Sequence, residues 1–316
     1  MPIPQLTAVI CFANEGDEVE QTVRGIRDTS GDNVDILLIN DASDDGRDYE
    51  SVADRFGCRY FLNSDRIGPA HCRQKGVRWA KTENVILLDA HMRFYAKDWH
   101  QSVNAAIAED PNALYCTRSR PLAGGGIYEG GPIGHGASVT RREETFGASL
   151  KSKWNIRSLG ESGTSYIPCL LGGNYAMQRD FMEHIGSYRG LHRYGCEEPL
   201  ISIKAWLAGG SCKLINDIEI GHIYRGSEGA PWTEGNKFQH FNKLATARIL
   251  MEDNEFNLYS TLVNSLSNAG NVRNVYESRK MLVMQARKQF QASRKLPLSY
   301  FWDLNAAFLR GETIAP

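Results

Sequence analysis

The chain has 316 residues, 42% of them hydrophobic, and a formal net charge of −1. That length buries a sizeable core, as one large α/β domain or two moderate ones. The balanced charge argues against a protein that coats nucleic acid or an anionic membrane with its whole surface. Met1-Pro2-Ile3-Pro4-Gln5 leads straight into an apolar run, with no basic segment and no small-residue cleavage site. No apolar stretch nears the ~20 residues that span a bilayer. The expectation is a protein with no membrane anchor, in the cytoplasm of a bacterium or a virus-infected cell. The seven cysteines are scattered and form no C-x-x-C pair, so they are expected as buried free thiols.

Along the chain, apolar runs alternate with helical spacing. Residues 6–13 read as a strand. Residues 15–30 carry Val19, Val23 and Ile26 at helical intervals behind acids, the pattern of an amphipathic helix. Residues 34–41 form a second apolar run before the turn Ser43-Asp44-Asp45-Gly46. A helix is expected over 47–56, a strand over 58–63, a helix over 69–82, a strand from Val85 to His91, a helix over 97–110 and a strand over 111–118. Such alternation implies βαβ units and a mostly parallel sheet flanked by helices. In such sheets ligands sit beyond the carboxyl ends of the strands, where Asp41 and Asp89 both fall.

Residues 121–165 break this pattern. They are rich in Gly and without a period, as expected of a flexible substrate loop, or else of a domain linker. Regular structure is expected again over 167–188, a helix over 198–210, a further run over 212–225, and a mainly helical tail from Lys237. The tail holds a basic amphipathic section of Arg273, Arg279, Lys280, Arg287, Lys288, Arg294 and Lys295, with Glu277 the only acid nearby. There is no internal repeat, no G-x-x-x-x-G-K-[ST] phosphate loop, and no G-x-G-x-x-G after the first strand. Ordinary ATPases and dinucleotide dehydrogenases are therefore disfavoured.

The run Val85–Leu88 stops at Asp89-Ala90-His91. Side chains at i and i+2 of an extended segment point the same way, so Asp89 and His91 converge. A carboxylate and a neutral imidazole make a partial shell for a divalent metal such as Mn²⁺, and a nucleoside diphosphate supplies hard oxygens to complete it. The competing reading is a turn-capping Asp89 beside a surface histidine. A metallophosphoesterase would need further G-D-x-x-D and G-N-H motifs, which the chain lacks.

Several segments in order carry a resemblance: Asn14-Glu15 after the first strand, Asp41 and Ser43 after the second, Asp65-Arg66-Ile67-Gly68 before a helix, and then Asp89-Ala90-His91. Together they resemble a GT-A fold glycosyltransferase of family 2. The D-x-H form, Leu170-Leu171-Gly172-Gly173, the segment 193–215, Gly221-His222-Ile223-Tyr224-Arg225 and the segment 242–259 look like the catalytic domain of polypeptide N-acetylgalactosaminyltransferases. The likeness covers roughly residues 6–260.

That resemblance implies a GT-A domain over 1–260: a nucleotide-binding half over 1–120, a flexible loop over 121–165, and a sugar and acceptor half over 166–260. A helical extension would follow over 261–316. It implies a UDP-sugar donor and Mn²⁺ (or Mg²⁺) held by Asp89, His91 and His222. Phe12, Asn14, Glu15 and Asp41 would border the uridine, and Arg66, Gly68 and Arg73 would frame the nucleotide and sugar. Gly172 and Gly173 would admit backbone close to the donor sugar. Glu197 would contact the sugar, and Arg225 would meet the leaving phosphate.

The chain departs from the family pattern at Tyr194, Cys196, Glu198 and Leu200, around the sugar and acceptor pocket. The wider match favours retention of anomeric configuration. Glu198 keeps inversion open, since a carboxylate there is a candidate general base. The acceptor stays undecided between protein, glycan, small molecule and modified DNA; hydroxymethylated pyrimidines of a viral genome would be held by the basic tail. A catalytically silent GT-A binding module is the reading from a different class.

Overall fold

The computed structural model describes residues 5–141, 145–224 and 236–316. The elements of the first half are β1 (Leu6–Phe12), α1 (Glu18–Ser30), β2 (Val34–Asn40), α2 (Tyr49–Arg55), β3 (Arg59–Leu62), α3 (Pro69–Trp79), β4 (Asn84–Leu88), β5 (Met92–Phe94), α4 (Trp99–Glu109) and β6 (Ala113–Leu122). Then come β7 (Ala137–Val139), β8 (Ser152–Trp154), β9 (Thr164–Tyr166), β10 (Asn174–Gln178), α5 (Arg179–His184), α6 (Glu197–Leu207) and β11 (Ser211–Ile223). Four helices close the chain: α7 (Asn236–Leu250), α8 (Asp253–Thr261), α9 (Ala269–Ser293) and α10 (Leu298–Arg310).

The main sheet runs β3-β2-β1-β4-β10-β6-β11-β5, with β9 on a second edge of β11. Its first four strands are parallel, and the Val, Ile and Leu residues of β1, β2 and β4 are buried on both faces, as parallel sheets require, whereas the edge strand β3 leaves Leu62 exposed. The second half is mixed. β10 is antiparallel to both β4 and β6, β11 is parallel to β6, and β5 and β9 are antiparallel to β11. The βαβ reading holds for the first half; the reversal at β10 follows a Gly-Gly turn rather than a crossover helix.

One apolar core lies between the sheet and α1 and α4, around Val19, Val23, Ile26, Trp99 and Ile107. A larger one lies on the other face and joins Val77, Trp206, Phe241, Phe290 and Phe301. The C-terminal helices thus share a core with α3 and α6. Two residues of the basic tail serve this packing. Arg287 donates to the carbonyls of Arg248 and Met251 at the end of α7, and Arg294 to that of Leu250 at 3.0 Å. Cations are favoured at a helix C-terminus, where carbonyls lack intrahelical partners.

Residues 121–165 hold more packed structure than their Gly-rich sequence suggests. β7 and β8 form an antiparallel hairpin, and Ala137, Val139, Phe146 and Leu150 are buried. The partners come from far along the chain. Asn305 of α10 accepts from Val139 N at 2.8 Å and donates to its carbonyl at 3.0 Å, and Arg157 donates to Gly311 O at 2.7 Å. All seven cysteines are free thiols.

Lys204 of α6 is fully buried and donates to Ser187 O at 2.9 Å. Burial, reinforced by the charge of Arg189, lowers its pKa to about 7. Between that value and the ~10.4 of an unfolded lysine, the unfolded chain binds the extra proton, so stability rises with pH. Urea unfolding at pH 7 and 8.5 should show this rise, at most about 1.4 kcal/mol per pH unit. Lys204→Met should flatten the profile; an unchanged slope in the variant would refute the assignment.

Candidate functional site

The chain leaves β4 at Leu88 and turns through Asp89-Ala90-His91 into β5. Two contacts fix this corner. Asp89 N donates to Gly173 O at 2.9 Å. Thr22 of α1 donates to Ala90 O at 2.7 Å and accepts from Met92 N at 2.9 Å. β11 then pairs antiparallel with β5, placing His222 opposite Met92. Residues 133 apart in the chain thereby meet: His222 Nε2 lies 3.2 Å from Asp89 Oδ2 and 3.1 Å from His91 Nε2. The ligand atoms of all three residues fall within 4.8 Å of one another.

The surroundings suit a cation. His91 Nδ1 lies 3.1 Å from Glu15 Oε2, an arrangement that leaves Nε2 as the lone-pair nitrogen facing the cluster. Burial alone would raise the Asp89 pKa, but the Arg73 guanidinium at 2.5 Å and His222 hold the carboxyl well below the usual carboxylate range. Burial lowers the His222 pKa despite Asp89, which favours the neutral imidazole. Its Nδ1 is buried without a hydrogen-bond partner among the described residues, and its ring stacks on His91 and lies 4.1 Å from that of Tyr224, nearly perpendicular to it. An ionised carboxylate and two imidazole nitrogens are a fitting donor set for Mn²⁺.

Gly172 and Gly173 lie against this corner. Gly173 has φ +98°, and a Cβ there would sit 3.0 Å from the His222 ring; only glycine lets the backbone pass so close. Gly173 N donates to the Tyr175 hydroxyl at 3.1 Å, and that hydroxyl donates to Glu198 Oε1 at 2.5 Å. Arg73 lies 5.2 Å over the Tyr175 ring. Glu197, at the first position of α6, is buried and accepts from Gly195 N with both oxygens. Burial and the neighbouring Glu198 raise its pKa to about 7.

The nucleotide-side candidates gather at the ends of β1 and β2. Asp41 accepts from Ile67 N at 2.8 Å, Gly68 N at 2.7 Å and Asn63 Nδ2 at 2.9 Å, so its carboxylate shapes the loop before α3. Asn14 is bonded to Asp44 and Ser43, and Phe12 packs on Tyr49. Arg66 donates to Ala42 O at 3.0 Å. Phe12, Asp41, Arg66 and Gly68 line a cavity of only about 30 Å³, whose walls also include Arg193 and Tyr194. Gly68 has φ +88°, and a Cβ there would sit 2.4 Å from Arg193 Cα.

The structure therefore brings Asp89, His91, His222, Arg73, Gly172, Gly173, Glu197 and Glu198 together. Phe12, Asn14, Asp41, Arg66 and Gly68 form the adjoining wall. Glu15, which the resemblance sets beside the uridine, has its carboxylate on His91. Arg225 lies outside the described residues. Sequence reasoning missed Thr22, Tyr175 and Arg193. Only Tyr175 left a signal, two residues past Gly173 on the same strand face.

The profile "Glycosyl transferase family 2" matches residues 7–179. The chain is 26% identical over 271 residues to polypeptide N-acetylgalactosaminyltransferase 11 of Xenopus tropicalis, across 79% of this chain and 43% of that protein. It is 23% identical over 301 residues to human polypeptide N-acetylgalactosaminyltransferase 14, across 91% and 53%. It thus spans about half the length of these curated relatives. The crystal structure of GalNAc-T7 with UDP, GalNAc and Mn²⁺ superposes with a TM-score of 0.71 at 21% identity, over 99% of this chain and 59% of that one. The fold is GT-A, and the chain belongs to glycosyl transferase family 2.

Proposed function

We propose that the chain is a metal-dependent glycosyltransferase. It moves N-acetylgalactosamine, N-acetylglucosamine or a related hexose from its UDP donor to an acceptor hydroxyl. The observation that carries this reading is the convergence of Asp89, His91 and His222 beside Gly172, Gly173 and the acidic start of α6. The UDP, GalNAc and Mn²⁺ of the GalNAc-T7 structure support it. The complete ligand set supports an enzyme over a silent binding module. Two imidazoles among the ligands favour Mn²⁺ over Mg²⁺, which prefers oxygen. When bound, the ion supplies positive charge to the diphosphate as it leaves.

The chain's own residues do the rest. Arg73 keeps Asp89 ionised, and Glu15 sets the His91 tautomer. Gly172 and Gly173 leave room for the sugar, whose hydroxyls face Glu197 and Glu198. Asp41 and Arg66 shape the nucleoside wall, and Arg225 is assigned to the leaving phosphate. Glu198 already accepts a hydrogen bond from Tyr175, which suits a residue that positions the donor better than a free general base. The reaction then retains configuration. The acceptor oxygen bonds to the anomeric carbon on the face from which the bond to UDP breaks, and its proton passes to the departing phosphate. The reading in which the basic tail grips modified DNA has no such support, since Arg287 and Arg294 are engaged internally.

Incubation with a panel of UDP-sugars, with and without Mn²⁺, should release UDP from one donor in a metal-dependent way, and His91→Ala should abolish it. Absence of release together with no calorimetric binding of UDP or Mn²⁺ would overturn the reading. Glu15→Gln should weaken Mn²⁺ binding by about 10–100-fold, with activity restored at high metal; unchanged affinity would remove Glu15 from the site's support. Glu198→Gln should slow transfer by less than the ~10²–10⁴-fold expected for loss of a general base. NMR should show the donor's anomeric configuration in the product; an inverted product would make Glu198 the base.

A further inference from the structure

Two of the seven free thiols meet under the nucleoside wall. Side chains of β1 alternate: Ile10 and Phe12 enter the core on the α1 side, whereas Val9 and Cys11 pack into the core shared with α3. Cys72 and Gly76 stand four residues apart on one buried face of α3. Gly76 lets the helix sit close on the strand, since a Cβ there would overlap Val9 Cγ1. α3 returns the chain from β3 to the parallel β4, so it runs against β1. Four residues toward the start of α3 and two toward the end of β1 cover the same length, about 6 Å. Gly76 on Val9 therefore sets Cys72 on Cys11, and the two thiols are hydrogen-bonded.

Both cysteines line the cavity of about 30 Å³ that Phe12, Asp41 and Gly68 share. Cys72 is fully buried, while Cys11 is partly exposed. The bond to Cys11 and burial push the Cys72 thiol up and keep it protonated, which leaves a first attack to Cys11. A cavity of this size holds a molecule about as large as water, so hydrogen peroxide fits where a bulky disulfide does not. Cys116, Cys169 and Cys212 also lie near one another, but each is at most 1% exposed. The Cys72 thiol is also within hydrogen-bond reach of Asp41. Asn63 Nδ2 donates to Cys72 Sγ at 3.4 Å and to Asp41 Oδ1 at 2.9 Å. Cys72 is thus joined to the polar group that holds the loop before α3.

We propose that Cys11 and Cys72 are a reversible peroxide-oxidation site, and that the disulfide closed between them weakens nucleotide binding. The Cys11 sulfur attacks one peroxide oxygen and the O–O bond breaks. The released hydroxide takes the thiol proton and leaves as water, and Cys11 carries a sulfenic acid. The Cys72 sulfur then displaces that hydroxyl, Asp41 passes the Cys72 proton to it, and a second water leaves. Two thiols are oxidised to one disulfide, and one peroxide is reduced to two waters. The new bond draws Cys72 away from Asn63 and from Asp41, whose carboxylate holds Ile67 N and Gly68 N. The next residue, Arg73, is the partner of Asp89. Oxidation therefore disturbs the nucleoside wall and the metal corner together. Its effect on the nucleotide rests on the glycosyltransferase reading; the bond itself does not.

The test treats the full chain with hydrogen peroxide, blocks the remaining thiols and maps disulfide-linked peptides. The segments of Cys11 and Cys72 should be recovered linked, and Cys11→Ser should abolish the link. Calorimetry with UDP and Mn²⁺ should show an affinity about tenfold or more lower after peroxide, restored by dithiothreitol. A thiol reductant reverses a disulfide but not methionine sulfoxide, so recovery separates this site from damage at methionines. The UDP affinity of Cys11→Ser should not respond to peroxide. Absence of the link, Cys11 oxidised beyond sulfenic acid in its place, or a linked protein with unchanged UDP affinity would overturn the proposal. A reduced protein that binds no UDP would instead overturn the glycosyltransferase reading, and with it the effect on the nucleotide, while the linked peptides would still establish the oxidation site.

Discussion

The partly buried ion pair between Arg73 and Asp89 is the interaction around which the site is organised. Removing a carboxylate from water carries a penalty of several kcal/mol unless it is paired and hydrogen-bonded. Arg73 meets that need at 2.5 Å, and the Asp89 backbone amide is taken up by Gly173. Asp89 therefore stays charged at the end of β4, where a cation needs it. Arg73 reaches this position because α3 starts at Pro69, immediately after the tight approach of Gly68 to Arg193. The same helix thus joins the nucleoside wall to the metal corner, so a shift in one is felt by the other.

Around that pair, the sheet's change of direction does the assembling. β10 enters antiparallel between β4 and β6, which carries the glycine pair and Tyr175 to Asp89. β11 runs beside β6 and ends by pairing with β5, which delivers His222. Tyr175 then links strand and helix, bridging Gly173 N to Glu198. Metal corner, glycine turn and the acids of α6 form one hydrogen-bonded unit, the rigid support that positioned chemistry requires.

The C-terminal third orders the segments packed against it. α10 supplies the partners that order the hairpin of residues 137–154, and α9 is tied by its arginines to the end of α7. A run of positive charge along a helix can thus mean internal tethering, because unpaired carbonyls at a helix end attract it as well as phosphates do. The cations of the hairpin differ in kind, since Lys151 and Lys153 stand on an exposed edge.

Much of the first half was legible from the residues alone. Period-2 and period-3.6 apolar spacing located β1 to β4, β6 and their helices within a few residues, since the core reads those periods directly, but did not pick out the short β5. The sequence by itself also singled out Asp89-Ala90-His91, because local spacing places both side chains on one face, and through motif resemblance it pointed to His222 and the glycine pair. It did not show that Glu15 meets His91, that Thr22 pins the corner, that Tyr175 holds Glu198, or that Arg287 is turned inward. Nor did it show that a Gly-rich segment folds into a hairpin against α10. Each of these is a contact between residues far apart in the chain. Local pattern reports which face a residue shows, whereas its partner is decided only when strands pair and helices pack.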